Sequence, residues 1–311
     1  MVLAPLSAGT PSLHFKDDVG GVAGRLGASM QQSRVEEWIR ETDLAGIEYA
    51  EYWNNEEAET DKAWWVTDGD YAGMERYLGE TGLIESLTSG VQAAARQRGE
   101  RLSGECLDIA AGNCWAVPHL LQLTDLRVVH CLEYSRHRLL DLGPKLLQHY
   151  GVPDDRALLI LGDINDIQLP SDSIDVAFLS QALHHAANPH LLLAEVRRAL
   201  KNDGVAIIIG EHRAAPFWRR LTKLVVSRLV PDWLQRRLLG RPIHVTGLAP
   251  YVEDSESGDH IYTTAEYRAM FSAHRFSMRE IGQEGAALRS FILTALDGGS
   301  PEAQSRGPAR K

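Results

Sequence analysis

The hydrophobic pattern of this chain changes character near residue 105. From there short apolar runs, ECLDIA (105–110), RVVHCLE (127–133), ALLILG (157–162), IDVAFLS (174–180) and GVAIIIGE (204–211), alternate with stretches of helical spacing such as Asn188–Leu200. Strand-like runs separated by helices predict βαβ units and a parallel sheet, an α/β fold. Near-continuous apolarity predicts strands covered on both faces. Upstream, residues 31–98 read as helical, with apolar positions at helical spacing (Trp38 and Ile39, later Met74, Tyr77 and Leu78) and several glycine breaks. Residues 1–30, rich in Gly, Ser and Ala, are expected to form a loosely held arm.

Beyond Glu211 a basic amphipathic stretch runs from Phe217 to Leu239, interrupted at Pro231, and a polar loop, GLAPYVEDSESGDH, follows it. A helix is predicted over Thr264–His274, then strands at SMREIGQ and SFILTAL; the Pro/Gly/Ser-rich end from Gly298 predicts disorder. The chain thus divides into an N-terminal arm and helical cap (1–98), a core (99–211), a basic helical insertion with a lid loop (212–262), the last helix and strand pair of the core (263–297) and a disordered tail (298–311).

Composition narrows the function classes. No stretch approaches the ~20 apolar residues of a membrane helix, and the first residues lack a basic start followed by an apolar run. The expectation is a soluble cytoplasmic protein. The three cysteines, Cys106, Cys114 and Cys131, are clustered without CxxC spacing, so buried reduced thiols are expected rather than a disulfide framework or a zinc site. A net charge of -10 speaks against non-specific nucleic-acid binding. The charge is uneven: residues 36–80 hold fourteen acids against three bases and four of the seven tryptophans, whereas residues 213–241 hold eight Arg/Lys and one acid, Asp232.

Candidate chemistry begins at Leu107–Trp115, LDIAAGNCW, between a strand and a helix-like stretch. Ala110, Ala111 and Gly112 permit a tight turn where backbone can approach a ligand. The next strand ends in Glu133, 25 residues after Asp108. A carboxylate at that place can accept hydrogen bonds from both hydroxyls of a ribose.

The segment from Gly162 to Glu211 adds a longer pattern. Gly162-Asp163, Leu169-Pro170, Ser173-Ile174-Asp175, Leu183-His184-His185, Glu195 with Arg197, and the turn Leu200-Lys201-Asn202-Asp203-Gly204 occur in one order. This resembles the core of class I S-adenosylmethionine (SAM)-dependent methyltransferases of the ubiquinone/menaquinone-biosynthesis-like (methyltransferase type 11) group, over roughly Glu105 to Glu211. The resemblance implies a Rossmann-like SAM-binding sheet of about seven strands with helices on both faces, an N-terminal helical cap and an insertion after the fifth strand. It implies SAM as cofactor and methyl transfer to a small-molecule substrate. By the same resemblance the Asp108–Cys114 turn, with Ala110 and Gly112, passes beneath the methionine part of SAM. Glu133 holds the ribose, Asp163 and the backbone of Ile164 face the adenine, and Ser180 and Gln181 line the sulfonium. Two departures stand out: Ala110 and Cys114 replace the first and third glycines of the family's turn, and Cys114-Trp115 is bulky enough to narrow the methionine pocket. That departure keeps open a SAM-fold enzyme with non-methyl chemistry; a non-catalytic partner protein on a degenerate core is the other alternative.

His184, His185 and His212 are candidate general bases, as is Glu211, although packing is the expected role of at least one of the paired histidines. His244, Glu253, Asp254, Asp259 and His260 lack a compact ligand spacing, and a polar lid loop accounts for them. For the basic stretch 217–239, the expected arrangement is an apolar face packed on the core or over the pocket, with a basic face on anionic lipid as the other reading. The expected partners are a small-molecule substrate and no nucleic acid, with no stable membrane insertion.

Overall fold

Apolar strand runs need cover on two sides, and the structure, a computed structural model, supplies it with helices. Residues 35–40, 70–214, 217–239, 252–254, 259–282 and 288–296 are described; the expected arm and tail lie outside them. In chain order the elements are β1 (Val35–Glu37), α1 (Tyr71–Glu80), α2 (Leu83–Arg98), β2 (Ser103–Ile109), α3 (Ala116–Leu123) and β3 (Asp125–Glu133). A π-helical turn, His137–Leu142, runs into α4 (Gly143–His149), followed by β4 (Ala157–Leu161) and β5 (Ile174–Ser180). A 3-10 turn, Leu183–His185, leads to α5 (Pro189–Ala199), β6 (Leu200–His212), α6 (Phe217–Leu229) and α7 (Asp232–Leu239). The chain closes with β7 (Val252–Asp254), β8 (Asp259–His260), α8 (Thr264–Ala273), β9 (Phe276–Ile281) and β10 (Leu288–Ala295).

One eight-stranded sheet has the order β1-β4-β3-β2-β5-β6-β10-β9. Its pairs are parallel from β1 through β6, and β10 and β9 add antiparallel strands at the far edge. Alternate side chains feed two cores. Cys106, Val129, Leu159, Val176, Phe178 and Ile207 face α1 to α4, whereas Leu107, Ile160, Ala177, Leu179 and Ile208 face α5 and α8. Both faces are buried, which is why the strands lack polar alternation.

The eight strands agree with the expected sheet of about seven, but the first of them corrects the sequence reading in which residues 31–98 are helical. Val35–Glu37 instead pairs parallel with β4, and the Trp38 N–H continues the ladder to the Leu161 carbonyl at 2.8 Å. Three residues are too few for periodicity to register. The open edge of β4, a tertiary feature, decides their conformation. The basic insertion accordingly follows the sixth strand in the chain. The expected turn Leu200–Gly204 is an irregular stretch inside β6, where pairing with β5 jumps from Ile174–Leu200 to Val176–Val205.

Several residues of the family-like pattern prove to be scaffold. Asp175 accepts from the Glu105 N–H at 2.9 Å and from Lys201 Nζ at 2.8 Å, joining β2, β5 and β6. Arg198, rather than Arg197, pairs with Glu195 and donates to the carbonyls of Ile167 and Leu169, holding the loop before β5.

The parallel strands reverse direction of succession between β2 and β5, the switch point beyond which open α/β sheets bind ligands. There Gln181 adopts φ 51°, and Gly210 beside it adopts φ 76°. A Cβ on Gly210 would lie 2.5 Å from Gln181 Cγ and 3.0 Å from Leu83 Cδ2. Gly210→Ala therefore combines left-handed strain with overpacking and is expected to lower stability by about 2–4 kcal/mol. Urea unfolding midpoints measure this, and a midpoint equal to wild type would show that the strand edge yields freely.

Candidate active site

β2 delivers the chain into a turn with three left-handed residues, Ala110 (φ 57°), Gly112 (φ 56°) and Cys114 (φ 65°). These are the places where the family's turn carries glycine, and the reason is now visible: each needs positive φ. Alanine and cysteine hold it at roughly 1–2 kcal/mol each. The turn is closed by the Cys114 N–H donating to the Ala111 carbonyl at 2.8 Å. Cys114 is fully buried and faces inward: a Cβ on Gly143 would lie 3.4 Å from its Sγ. Its hydrogen bond to Cys131, with burial behind it, pushes the Cys131 thiol well up. Cys114 thus fills the core beneath the turn and does not narrow the pocket as expected. Half-buried Trp115 lines it instead. All three cysteines are buried free thiols.

Glu133, at the end of β3 and 4% exposed, braces this turn. Its Oε2 accepts from the Gly112 N–H at 2.9 Å, and its Oε1 accepts from the N–H groups of Tyr134 (2.9 Å) and Ser135 (2.8 Å). Asp108 lies buried below. Burial, and then the neighbouring Glu133, hold its carboxyl well above the usual carboxylate range. Asp108 Oδ2 and Ser180 Oγ are buried polar atoms with no partner among the described residues. Asp163 Oδ1 accepts from the backbone N–H and side-chain amide of Asn165, at 2.9 and 3.1 Å, fixing the turn that presents Ile164.

A second buried acid stands at the end of β6. Glu211 is fully enclosed; its Oε2 lies 3.1 Å from His184 Nδ1 and accepts from the Tyr267 hydroxyl at 2.6 Å, while Oε1 accepts from the Leu183 N–H. Burial pushes this carboxyl up, but His184, the Tyr267 hydroxyl and His185 outweigh it and hold the group below the usual range. The phenol of Tyr267 is pushed well up, first by burial and then by Glu211. The His184 ring packs against His185 (4.2 Å between centroids) and His212 (4.6 Å). From the expected lid loop, His260 Nδ1 comes within 3.3 Å of the His184 carbonyl. His244 lies outside the described residues, among which no group of three or more His, Cys, Asp or Glu could hold a metal ion.

One cavity of about 230 Å³ collects these groups. Ala110, Gly112, Glu133, Ile164, Ser180, Gln181, His184, His185 and His212 all line it. Asp108, buried, and Asp163, bonded to Asn165, do not. Glu211, weighed as a base, is enclosed behind His184 and has no access to a substrate. Sequence reasoning missed Met74, Tyr77 and Leu78 of α1, together with Tyr134 and Arg138 past β3, as wall residues. The helical stripe of α1 was legible, but a stripe facing a cavity looks the same as one facing a core. Tyr267 carried no signal, because its partner is 56 residues distant.

Residues 107–208 match the family model described as Methyltransferase domain. No curated protein matches the chain. Among solved structures, a mitomycin 7-O-methyltransferase is 18% identical with a TM-score of 0.50, covering 81% of this chain and 62% of that one. The 1,6-didemethyltoxoflavin-N1-methyltransferase of Burkholderia thailandensis, solved with its substrate and S-adenosylhomocysteine, is 14% identical with a TM-score of 0.48, covering 77% and 88%. The first likeness concerns the fold alone. The cavity suits the cofactor such a domain takes: it is lined by a carboxylate at a strand end, by Ser180, whose buried hydroxyl has no hydrogen-bond partner among the described residues, and by the apolar Ile164. Over residues 107–208, then, the strand order and the left-handed turn agree with the family model, and this part of the chain matches a methyltransferase domain, which indicates SAM as the cofactor.

Proposed function

We propose that this protein transfers the methyl group of SAM to an O, N or C nucleophile of a small molecule, and that the histidine-lined end of the cavity receives that molecule. The observation that carries this reading is the sharing of one cavity by the turn residues Ala110 and Gly112, the acid Glu133 and the three histidines. When bound, SAM supplies a methyl already activated by its sulfonium, so the protein's task is alignment and exclusion of water. In this reading Glu133, fixed by three backbone N–H groups, retains one acceptor site, on Oε2, for a ribose hydroxyl. Ile164, presented by the turn that Asp163 fixes, borders the adenine end, and Asp108 and the turn stand under the methionine part. Ser180 and Gln181 border the reacting centre.

His184 is the favoured proton acceptor for a substrate O–H or N–H. Glu211 takes its Nδ1 side, which sets the tautomer and leaves Nε2 as the basic nitrogen. Glu211 and Tyr267 are positioning groups: neither lines the cavity. The wall contributed by α1 supports a share of the N-terminal cap in substrate choice, through Met74, Tyr77 and Leu78. The inward Cys114 removes one motive for non-methyl chemistry on a deformed turn. A turnover assay for S-adenosylhomocysteine with candidate small molecules tests the proposal; tight SAM binding without any such product across a broad panel would count against it.

Two further measurements address the site. Hydrogen bonds to a charged group contribute about 1.5–3 kcal/mol each, so Glu133→Gln is expected to weaken SAM at least about tenfold by calorimetry. Asp163→Ala should weaken it with little change in melting temperature. Wild-type affinity in the Glu133 variant would remove the ribose assignment. For Glu211 the test is the pH dependence of stability. Its folded-state pKa is depressed, so the stabilisation is present above the ordinary glutamate value of about 4.3 and is lost as pH falls through the folded value. Urea unfolding from neutral to acid pH should show this acid loss in wild type and a flatter curve in Glu211→Gln, with lower stability at neutral pH. Parallel curves for the two proteins would deny an ionised Glu211.

A further inference from the structure

The helices α6 and α7 are inside out. At about 100° per residue, Phe217, Trp218, Leu221, Val225 and Leu229 fall in one arc of α6, and that arc faces outward. Trp218 is 61% and Leu229 75% exposed. The opposite arc carries Arg220, 8% exposed, with half-buried Lys223 and Ser227. A helix covering a core does the reverse, so the expected packing of this apolar face on the core or pocket is corrected. α7 repeats the pattern, with Trp233 at 66% and Leu238 at 69% exposure. Buried Gln235 locks the two helices together, its Nε2 donating to the carbonyls of Val226 and Val230. The pair therefore presents large apolar side chains outward from both helices, interspersed with arginine, and exposed apolar patches mark interaction sites.

We propose that this face docks on an anionic lipid membrane, with both helices lying in the plane of its interface. Residues 217–239 carry six Arg/Lys against one acid on a chain of net charge -10, a local charge opposite to the rest of the protein. Exposed Arg219, Arg228, Arg236 and Arg237 accompany the apolar arc, so apolar insertion and attraction to anionic headgroups act together. Two tryptophans in that face suit the headgroup boundary, where an amphipathic ring finds both environments. Within the outward arc of α6 the polar side chains are Thr222 and Arg228. Such a surface offers little directional hydrogen bonding for a protein groove. A second copy fits worse, because a two-fold pairing of this face would set the same arginines against each other. The face begins five residues after His212 of the cavity wall, a chain path of at most about 18 Å. If the methyltransferase reading holds, the docked protein has its cavity near the bilayer, where an amphiphilic substrate resides.

The test uses the full chain with vesicles of phosphatidylcholine alone and of phosphatidylcholine mixed equally with phosphatidylglycerol. Co-sedimentation is expected on the anionic vesicles, weakened by salt, and absent on the neutral ones. The combined variant Leu221→Asp, Leu229→Asp, Trp233→Asp should lose at least tenfold in partition. The separate variant Arg228→Glu, Arg236→Glu, Arg237→Glu should lose a similar factor. Melting temperature and SAM affinity, read by calorimetry, should stay at wild-type values in both, which keeps the outcome apart from that of the methyltransferase reading. Absence of wild-type binding to anionic vesicles, or binding indifferent to both variants, overturns the proposal. A concentration-dependent dimer dissolved by the aspartate variant would also overturn it and give the face to a second copy.

Discussion

Glu133 brings a buried carboxylate to the end of the strand beside β2, and burying a charge is costly unless donors surround it. Three backbone N–H groups do so, from Gly112, Tyr134 and Ser135. Two of these lie just past β3 and one lies in the turn after β2. The same carboxylate therefore fixes the spacing of two strand ends and holds the turn open in its left-handed conformation. With that turn set, Ala110 and Gly112 stand at the cavity while Cys114 is committed to the core. Asp108, lying under the same turn, has its carboxyl pushed up first by burial and then by its proximity to Glu133.

The second buried acid, Glu211, does for the opposite wall what Glu133 does for the first. It collects a backbone N–H, an imidazole and a phenol around one carboxylate and thereby fixes the 3-10 turn Leu183–His185 against β6 and α8. Two strand-end acids thus have different tasks set by their donors. One surrounded by peptide N–H groups shapes a turn. One facing a histidine sets that ring's orientation and tautomer. The cavity lies between them, at the switch point of the sheet.

Outside this core, α6 and α7 follow a different rule. Their most buried side chains are the polar Gln235 and the cationic Arg220, while most of the aromatic and several of the aliphatic groups face out. Local positive charge and most of the large exposed apolar side chains among the described residues come together in this part, which gives it a partner chemistry distinct from the small-molecule cavity.

What the sequence determined by itself follows from local repetition. Strand runs such as IDVAFLS and helices such as Pro189–Ala199 could be placed because period and turn chemistry act over a few residues. The turn after β2, Glu133 at a strand end and the order of the family-like pattern were legible for the same reason, and they located most of the cavity wall. Tertiary structure decided the rest. The conformation of Val35–Glu37 depended on the free edge of β4, and the direction of Cys114 on a thiol in a neighbouring strand. The role of Glu211 depended on Tyr267, far along the chain. The outward turn of the α6 stripe was equally out of reach, because helical spacing names an apolar face and leaves open what that face meets. A periodic pattern records which residues share a surface; only packing of distant segments determines whether that surface is core, cavity or interface.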